Sequence, residues 1–276
     1  MEVGEAGEGL GQAAVRPDER FRERYGPWAL VAGASEGLGA AFAAALSARG
    51  LNLVLAARRP EPLARLAADL PTRSVTVAAD LSSAEGVDDA CAAADGLDVG
   101  LVVANAAYSP IGRFLDLTPD QTRRAIDLNC RAPLTLAHRF LPAMATRRRG
   151  GFIIMSSLAG MQGSPPISVY AATKAFGAIL AEGLWAEFRE CRVDVLTCVA
   201  GAIATPGLAG AKPRRAPGTL APEQVAEAAL RALGRGPRIV PGALMRVSSV
   251  LMSRMLPRRA SIAMISRASR DLAPPA

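Results

Sequence analysis

Between residues 28 and 240, short apolar runs alternate with Ala-rich or amphipathic stretches, and this alternation constrains the fold more than any other feature of the chain. The runs at 28–33, 51–57, 74–79, 99–104, 152–156, 193–199 and 238–240 have the length and composition of buried strands. The stretches at 40–49, 61–70, 84–94, 119–147, 170–189 and 223–233 predict helices; in the first, Phe42 and Leu46 stand one turn apart. Strands that alternate with helices form βαβ units, whose right-handed crossovers build a parallel sheet covered on both faces. The predicted class is therefore α/β, a doubly wound, Rossmann-type sheet in three layers. The 276 residues show no repeats and suit one domain at 27–242, whose loop at 201–222 leaves the strand–helix pattern. A polar tail at 1–26 is expected before it and a basic helical extension at 243–276 after it.

Bulk properties exclude several classes. Half of the residues are hydrophobic and 21% are charged, which is unlike a disordered chain. No apolar run reaches the roughly 18 residues of a spanning helix, and the Gly/Glu-rich start lacks the apolar stretch of a secretory signal. Cys91, Cys130, Cys191 and Cys198 have no metal-type spacing and read as free thiols in a reducing cytoplasm, the expected location. No metal site is expected. The net charge of +7 is uneven: from Ala211 onward twelve basic residues face three acidic ones, leaving −2 on residues 1–210. A basic quarter suits nucleic acid, an acidic membrane surface, or a solvated surface around a pocket for an anionic ligand. Without a nucleic-acid motif the last reading is preferred, and no nucleic-acid partner is expected. The basic residues are almost all Arg, with Lys174 and Lys212 the two lysines, while Asn stands only at 52, 105 and 129 and Tyr only at 25, 108 and 170. Each occurrence of so rare a type is a better candidate for a specific chemical need.

The first chemical candidate is Gly33-Ala34-Ser35-Glu36-Gly37-Leu38-Gly39, between the first strand and the first helix. Glycines there allow a tight turn and close approach of a pyrophosphate, whose charge sits against the helix N-terminus. About 20 residues on, where an acid would hold a ribose hydroxyl, stand Ala57, Arg58 and Arg59. A guanidinium without a carboxylate suits a 2′-phosphate, so NADP(H) is expected, with NADPH preferred and NAD possible. A solvated Arg pair after a strand is the alternative. Glu36 argues against the phosphate, because an acid in an anion-binding loop has to point to solvent.

The second candidate is Tyr170-Ala171-Ala172-Thr173-Lys174, which places Tyr and Lys at i, i+4 on one helix face. A phenol has a pKa near 10. A cation about 4 Å away, at an effective dielectric near 20, favours the phenolate by up to about 4 kcal/mol, enough to make it useful in proton transfer near neutral pH. Thirteen residues upstream, Ser157 ends a predicted strand, where ligand crevices of open parallel sheets form.

Taken together, these residues resemble the short-chain dehydrogenase/reductase family in its compact single-domain branch, over about residues 27–242. The family's glycine motif matches Gly33, Gly37 and Gly39, with Ser35 and Leu38 between them. Its Asn-Ala-Gly segment matches Asn105-Ala106-Ala107, and its adenine-side Asp matches Asp80, followed by Leu81. Its tetrad maps to Asn129, Ser157, Tyr170 and Lys174, and its segment after the sixth strand to Ala200-Gly201, Ile203 and Thr205. The resemblance implies a seven-stranded sheet ordered 3-2-1-4-5-6-7, a catalytic domain with its substrate loop at 201–222, and an NAD(P)-dependent oxidoreductase moving a hydride between nicotinamide and a carbonyl or alcohol. It implies that Tyr170 is the general acid/base, that Lys174 lowers its pKa and binds the nicotinamide ribose, that Ser157 bonds the substrate oxygen, and that Asn129 orients a water. Ala32, Ala107 and Ala200 depart from the pattern, where the family has a hydroxyl residue, Gly and Pro. They touch cofactor affinity rather than a reacting group, and they sustain the alternative of a cofactor-binding sensor or scaffold with little turnover.

Other residues carry less. His138 lies mid-helix without a partner spacing, and Cys130 reads as packing. Tyr108 follows the fourth strand, where a substrate contact is one option. Leu244, Val247, Leu251 and Met255 stand at helical spacing with Arg246 and Arg254 off their face, the pattern of a helix packed over the fold, a substrate lid or a membrane-surface contact. Met161, Met245, Met252 and Met255 suit either an adaptable apolar pocket or plain core. Helix 170–189 is apolar around most of its circumference, which favours a homo-oligomer, a dimer or tetramer, acting on a small-molecule substrate.

Overall fold

The computed structural model describes residues 18–204, 218–251 and 255–268. Seven parallel strands form one sheet: β1 (Trp28–Ala32), β2 (Asn52–Ala57), β3 (Ser74–Ala78), β4 (Val99–Ala104), β5 (Gly151–Ser157), β6 (Asp194–Ala200) and β7 (Arg238–Ile239), in the order β3-β2-β1-β4-β5-β6-β7. The expected architecture and strand order are thus both present. Successive residues of each strand face opposite layers. Val31, Leu55, Val103, Ile153 and Leu196 point into one core, packed by α2 (Gly37–Ser47), α3 (Pro60–Asp69) and α8 (Pro222–Ala232). Leu30, Val54, Val102, Phe152 and Val195 point into the other, covered by α4 (Ala84–Ala92), α6 (Ala132–Arg147) and α7 (Ser168–Phe188). Burial on both sides is why the five central strands read as continuous apolar runs rather than as alternating patterns, while the edge strands β3 and β7 stay partly exposed.

Two elements differ from the sequence expectation. The end of the polar tail forms a short helix, α1 (Glu19–Tyr25), capped by Asp18 and seated on the sheet by Tyr25. The Tyr25 hydroxyl donates to Asp194 (2.6 Å), and burial pushes its pKa well up. The pattern hid this because six of the helix's seven residues are charged or lie near the surface. The helix expected over 119–147 is continuous but not uniform: α5 (Pro119–Ile126) passes through a π turn, Asp127–Arg131, into α6. The extra residue per turn rotates Asn129 inward, a distortion common at functional sites.

Beyond β7 come α9 (Ala243–Val250) and α10 (Arg258–Ala268). Among the described residues no helix is long and apolar enough to cross a membrane. None of them groups His, Cys, Asp and Glu as a metal site would, and the four cysteines are free thiols.

Candidate active site and cofactor cleft

A cleft of about 590 Å3 opens at the carboxyl ends of β1, β2, β4, β5 and β6, on the edge where the strand order reverses and ligands of such sheets collect. Its floor is the glycine loop. Gly33 and Gly37 adopt positive φ (84° and 55°), which costs a side-chain-bearing residue energy. A Cβ on Gly39 would come 1.9 Å from the Gly33 carbonyl oxygen, so that glycine closes the turn from below rather than lining the cleft. Position 32 carries no hydroxyl, and backbone and amide links tie the loop to the end of β4. The amide N–H groups of Asn105 and Ala106 donate to the Ala32 carbonyl (3.1 and 2.8 Å), and Asn105 Nδ2 donates to Gly33 O (2.9 Å).

The residues present fit a bound pyrophosphate. Helix α2 begins at this loop, its N-cap residue Glu36 makes no capping hydrogen bond, and its first turn holds no acid. Its leading N–H groups therefore have no side-chain partner, and with the helix dipole they suit an anion. Glu36 itself is turned aside: its carboxylate pairs with Arg59 at 2.7 Å, both side chains about half exposed. Arg58 lines the cleft and makes no ion pair among the described residues. Of the doublet, one guanidinium neutralises Glu36 while the other faces the cleft, near enough to Asp80 to help lower its pKa.

Asp80 and Leu81 lie at the same end. Burial alone would raise the Asp80 carboxyl, but hydrogen bonds from the Ser82 hydroxyl and N–H (2.7 and 3.0 Å) outweigh it, helped by Arg124 and Arg58. The net effect holds its pKa below the usual carboxylate value. Arg124, on α5, binds the second carboxylate oxygen at 2.9 Å. Sequence reasoning missed this arginine, because the 44 residues between the partners leave no local signal.

At the other end, Ser157 closes β5 while Tyr170 and Lys174 stand on the first turns of α7. The Ser156 hydroxyl donates to the Lys174 carbonyl (2.7 Å), fastening helix to strand. Lys174 Nζ donates to the Met155 carbonyl (2.8 Å) and lies 5.6 Å from the centre of the Tyr170 ring. Burial pulls the Lys174 pKa down to about 8. Burial also raises the Tyr170 phenol above its ordinary value, with a hydrogen bond to Ser157 opposing it. The i, i+4 spacing thus sets the pair on one face, but the ammonium spends its bond on the backbone and the phenol is shifted up rather than down. A helical spacing specifies a shared face and not which neighbour the longer side chain reaches.

Asn129 is buried beside this group but does not line the cleft. Its Nδ2 donates to Tyr108 O (2.8 Å) and Thr173 Oγ1 (2.9 Å), and its Oδ1 accepts from Tyr108 N (2.8 Å). Both amide N–H bonds are committed, so Asn129 ties the loop after β4 to α7. Tyr108 does not line the main cleft; its ring lies under Arg124, 5.7 Å away, in a smaller cavity of about 380 Å3. Gly201, Ile203 and Ala106 line the cleft, as do Ser35 and Leu38. Thr205, like Met252 and Arg254, lies outside the described residues. His138 is exposed, and burial raises the Cys130 thiol to about 11, which leaves it a poor nucleophile.

The glycine turn, the basic strand end and the Ser–Tyr–Lys group coincide with a family model for short chain dehydrogenase over residues 27–216. The chain belongs to the short-chain dehydrogenase family. It is an oxidoreductase of the NAD(P)-binding Rossmann type. Among relatives of this dehydrogenase, the 7beta-hydroxysteroid dehydrogenase of Collinsella aerofaciens is 31% identical over 232 residues, spanning 80% of this chain and 88% of the relative. The very-long-chain 3-oxoacyl-CoA reductase of Phaeosphaeria nodorum is 32% identical, spanning 76% of this chain and 64% of the relative. A solved 7beta-hydroxysteroid dehydrogenase superposes with a TM-score of 0.84 at 29% identity, covering 89% of this chain and 98% of its own. A short-chain dehydrogenase from Sphingobium yanoikuyae, solved in complex with NADPH, gives 0.70 at 28% identity, covering 83% and 96%.

Proposed function

We propose that this dehydrogenase transfers a hydride between NADP(H) and an apolar ketone or secondary alcohol, NADPH being preferred to NADH, with Tyr170 as the general acid/base. The observation that carries the reading is the division of one cleft: Arg58, without an ion pair among the described residues, at one end and Ser157, Tyr170 and Lys174 at the other. Gly33, Ser35, Gly37, Leu38, Asp80, Leu81, Asn105, Ala106, Gly201 and Ile203 would hold the dinucleotide between them, with Gly39 supporting the turn and Thr205 as a further contact. When bound, the nicotinamide supplies or accepts the hydride.

The protein's own groups handle the proton. A phenol held above its ordinary pKa is protonated at neutral pH and ready to give its proton to a developing alkoxide, which suits ketone reduction. Ser157 donates a hydrogen bond to the same oxygen as negative charge grows there. Lys174, still largely cationic near pH 7, supplies positive potential beneath the phenol. Asn129 acts as a positioning residue through Tyr108 and Thr173.

Met161 and Met245, packed around Leu158 beside the Ser157 end of the cleft, support an apolar, adaptable substrate site. Two relatives named for a steroid and for very-long-chain acyl substrates favour the same class. Exposed Ile126, Leu134, Phe176 and Ile179 on the α5–α7 side support a homo-oligomer, a dimer or tetramer, and the free thiols a reducing cytoplasm. The test is NADPH oxidation against bulky ketones by the native chain and Tyr170→Phe. Turnover is expected to collapse in the variant while NADPH binding persists; undiminished turnover would remove Tyr170 from the chemistry.

A further inference from the structure

Helix α9 turns Met245 and Ser249 inward and leaves Leu244 and Val247 facing outward. At about 100° per residue, Met245 and Ser249 fall on one side and Leu244, Val247 and Leu251 on the other. The inner side is packed. Ser249 is buried with its hydroxyl donating to the Arg246 carbonyl (2.8 Å), and Met245 sits against Leu158 and Gly201. The outer side is largely open: Leu244, Val247 and Leu251 are 51, 67 and 40% exposed, Leu244 also touching Gly218, and Met255 just beyond them is 72% exposed. Of the readings open for this stripe, packing down on the fold is not what the structure shows, because Met245 and Ser249 take the inner side. Exposed apolar groups clustered in this way mark an interaction surface.

The charge around this surface narrows the partner. Residues 228–270 hold nine arginines and no acid. Arg246, Arg258, Arg259 and Arg267 are exposed beside or beyond the apolar stripe. A second copy of the same face would set arginine against arginine. An anionic bilayer takes both features, apolar side chains entering beneath the headgroups while guanidinium groups remain among the phosphates. The surface also adjoins the mouth of the cleft. The Arg258 guanidinium donates to the Met161 carbonyl (2.8 Å) in the 3-10 turn after β5. Across the same segment, Gly112 N donates to Pro166 O (3.0 Å), holding a loop whose Phe114 and Leu115 are 65 and 84% exposed.

We propose that the α9–α10 corner is a docking surface for an anionic lipid bilayer, which seats the substrate mouth of the cleft against the membrane surface. This inference stands apart from the cofactor assignment, and its test reads lipid binding rather than turnover. The full chain is sedimented with vesicles of phosphatidylcholine alone and of phosphatidylcholine mixed with phosphatidylglycerol, at low and at physiological salt. Binding to the phosphatidylglycerol vesicles is expected, weakening as salt rises, with little on phosphatidylcholine. Val247→Glu with Leu251→Glu removes two exposed apolar groups that would enter the bilayer and adds two anions, so binding should fall roughly a hundredfold or more, with molecular mass and melting temperature unchanged. Arg246→Ala with Arg259→Ala, which leaves the packing intact, should flatten the salt dependence. The proposal is overturned if the native chain ignores phosphatidylglycerol vesicles or if the glutamates leave binding intact. It is equally overturned if the glutamates split a lipid-free oligomer, which would assign the face to a second copy.

Discussion

Arg58→Ala tests the division of labour between two adjacent arginines. Arg59 is held 2.7 Å from Glu36, whereas Arg58 lines the cleft without an ion pair among the described residues. A charge-assisted hydrogen bond to a 2′-phosphate contributes roughly 1.5–3 kcal/mol, so removing Arg58 should weaken NADPH binding on the order of 10- to 100-fold. NADH, which lacks the phosphate, should bind as before. Arg59→Ala acts differently. The half-exposed pair is itself worth about 0–1 kcal/mol, but breaking it frees an acid near the phosphate site, so NADPH affinity should drop by no more than about fivefold. Glu36→Gln placed on top of Arg59→Ala should recover that loss. Titration of both cofactors by fluorescence at fixed salt measures all three variants. An equal loss of NADH and NADPH affinity in Arg58→Ala, or a larger effect from Arg59 than from Arg58, would refute the assignment. Ala57→Asp with Arg58→Ile should reverse the preference, by adding an acceptor for the ribose hydroxyls where the phosphate's partner is lost.

Further expectations follow from the same geometry. Lys174 has a folded-state pKa of about 8, below its unfolded value near 10.4. Its burial therefore opposes folding below pH 8, and that cost fades as pH rises through 8 toward 10.4. Lys174→Met should accordingly lose turnover yet melt above the native chain at pH 7, with the gap narrowing in alkaline buffer; a constant gap across calorimetric scans would contradict the burial effect. Gly39→Ala drives a methyl into the Gly33 carbonyl, where backbone has to move, and should cost about 1–3 kcal/mol of stability together with cofactor affinity, read by thermal melts with and without NADPH. Ile179→Arg, at a side chain 65% exposed on α7, should lower the molecular mass seen by light scattering; an unchanged mass would place any subunit contact elsewhere.

Much of this protein was legible in local order alone. Seven short apolar runs, the five central ones buried on both faces, announce a parallel sheet because strands of that kind have no solvent side to encode. Gly33, Gly37 and Gly39 announce a turn that tolerates no side chain, and Ser157, Tyr170 and Lys174 need only a strand end and two helical turns to come together. Local spacing carries such information because its geometry is set by the backbone itself. Tertiary structure decided which of several competing partners each polar group met. Arg59 rather than Arg58 took Glu36, Lys174 took the Met155 carbonyl, Asp80 took Arg124 from 44 residues away, and Asn129 spent its amide on Tyr108 and Thr173. Packing also decided that α1 docks through Tyr25 and Phe21 and that α9 leaves its apolar side in the open. A hydrophobic pattern states that a stripe is to be buried; what buries it depends on the surface that the rest of the fold presents, and here Met245 and Ser249 fitted the inner side.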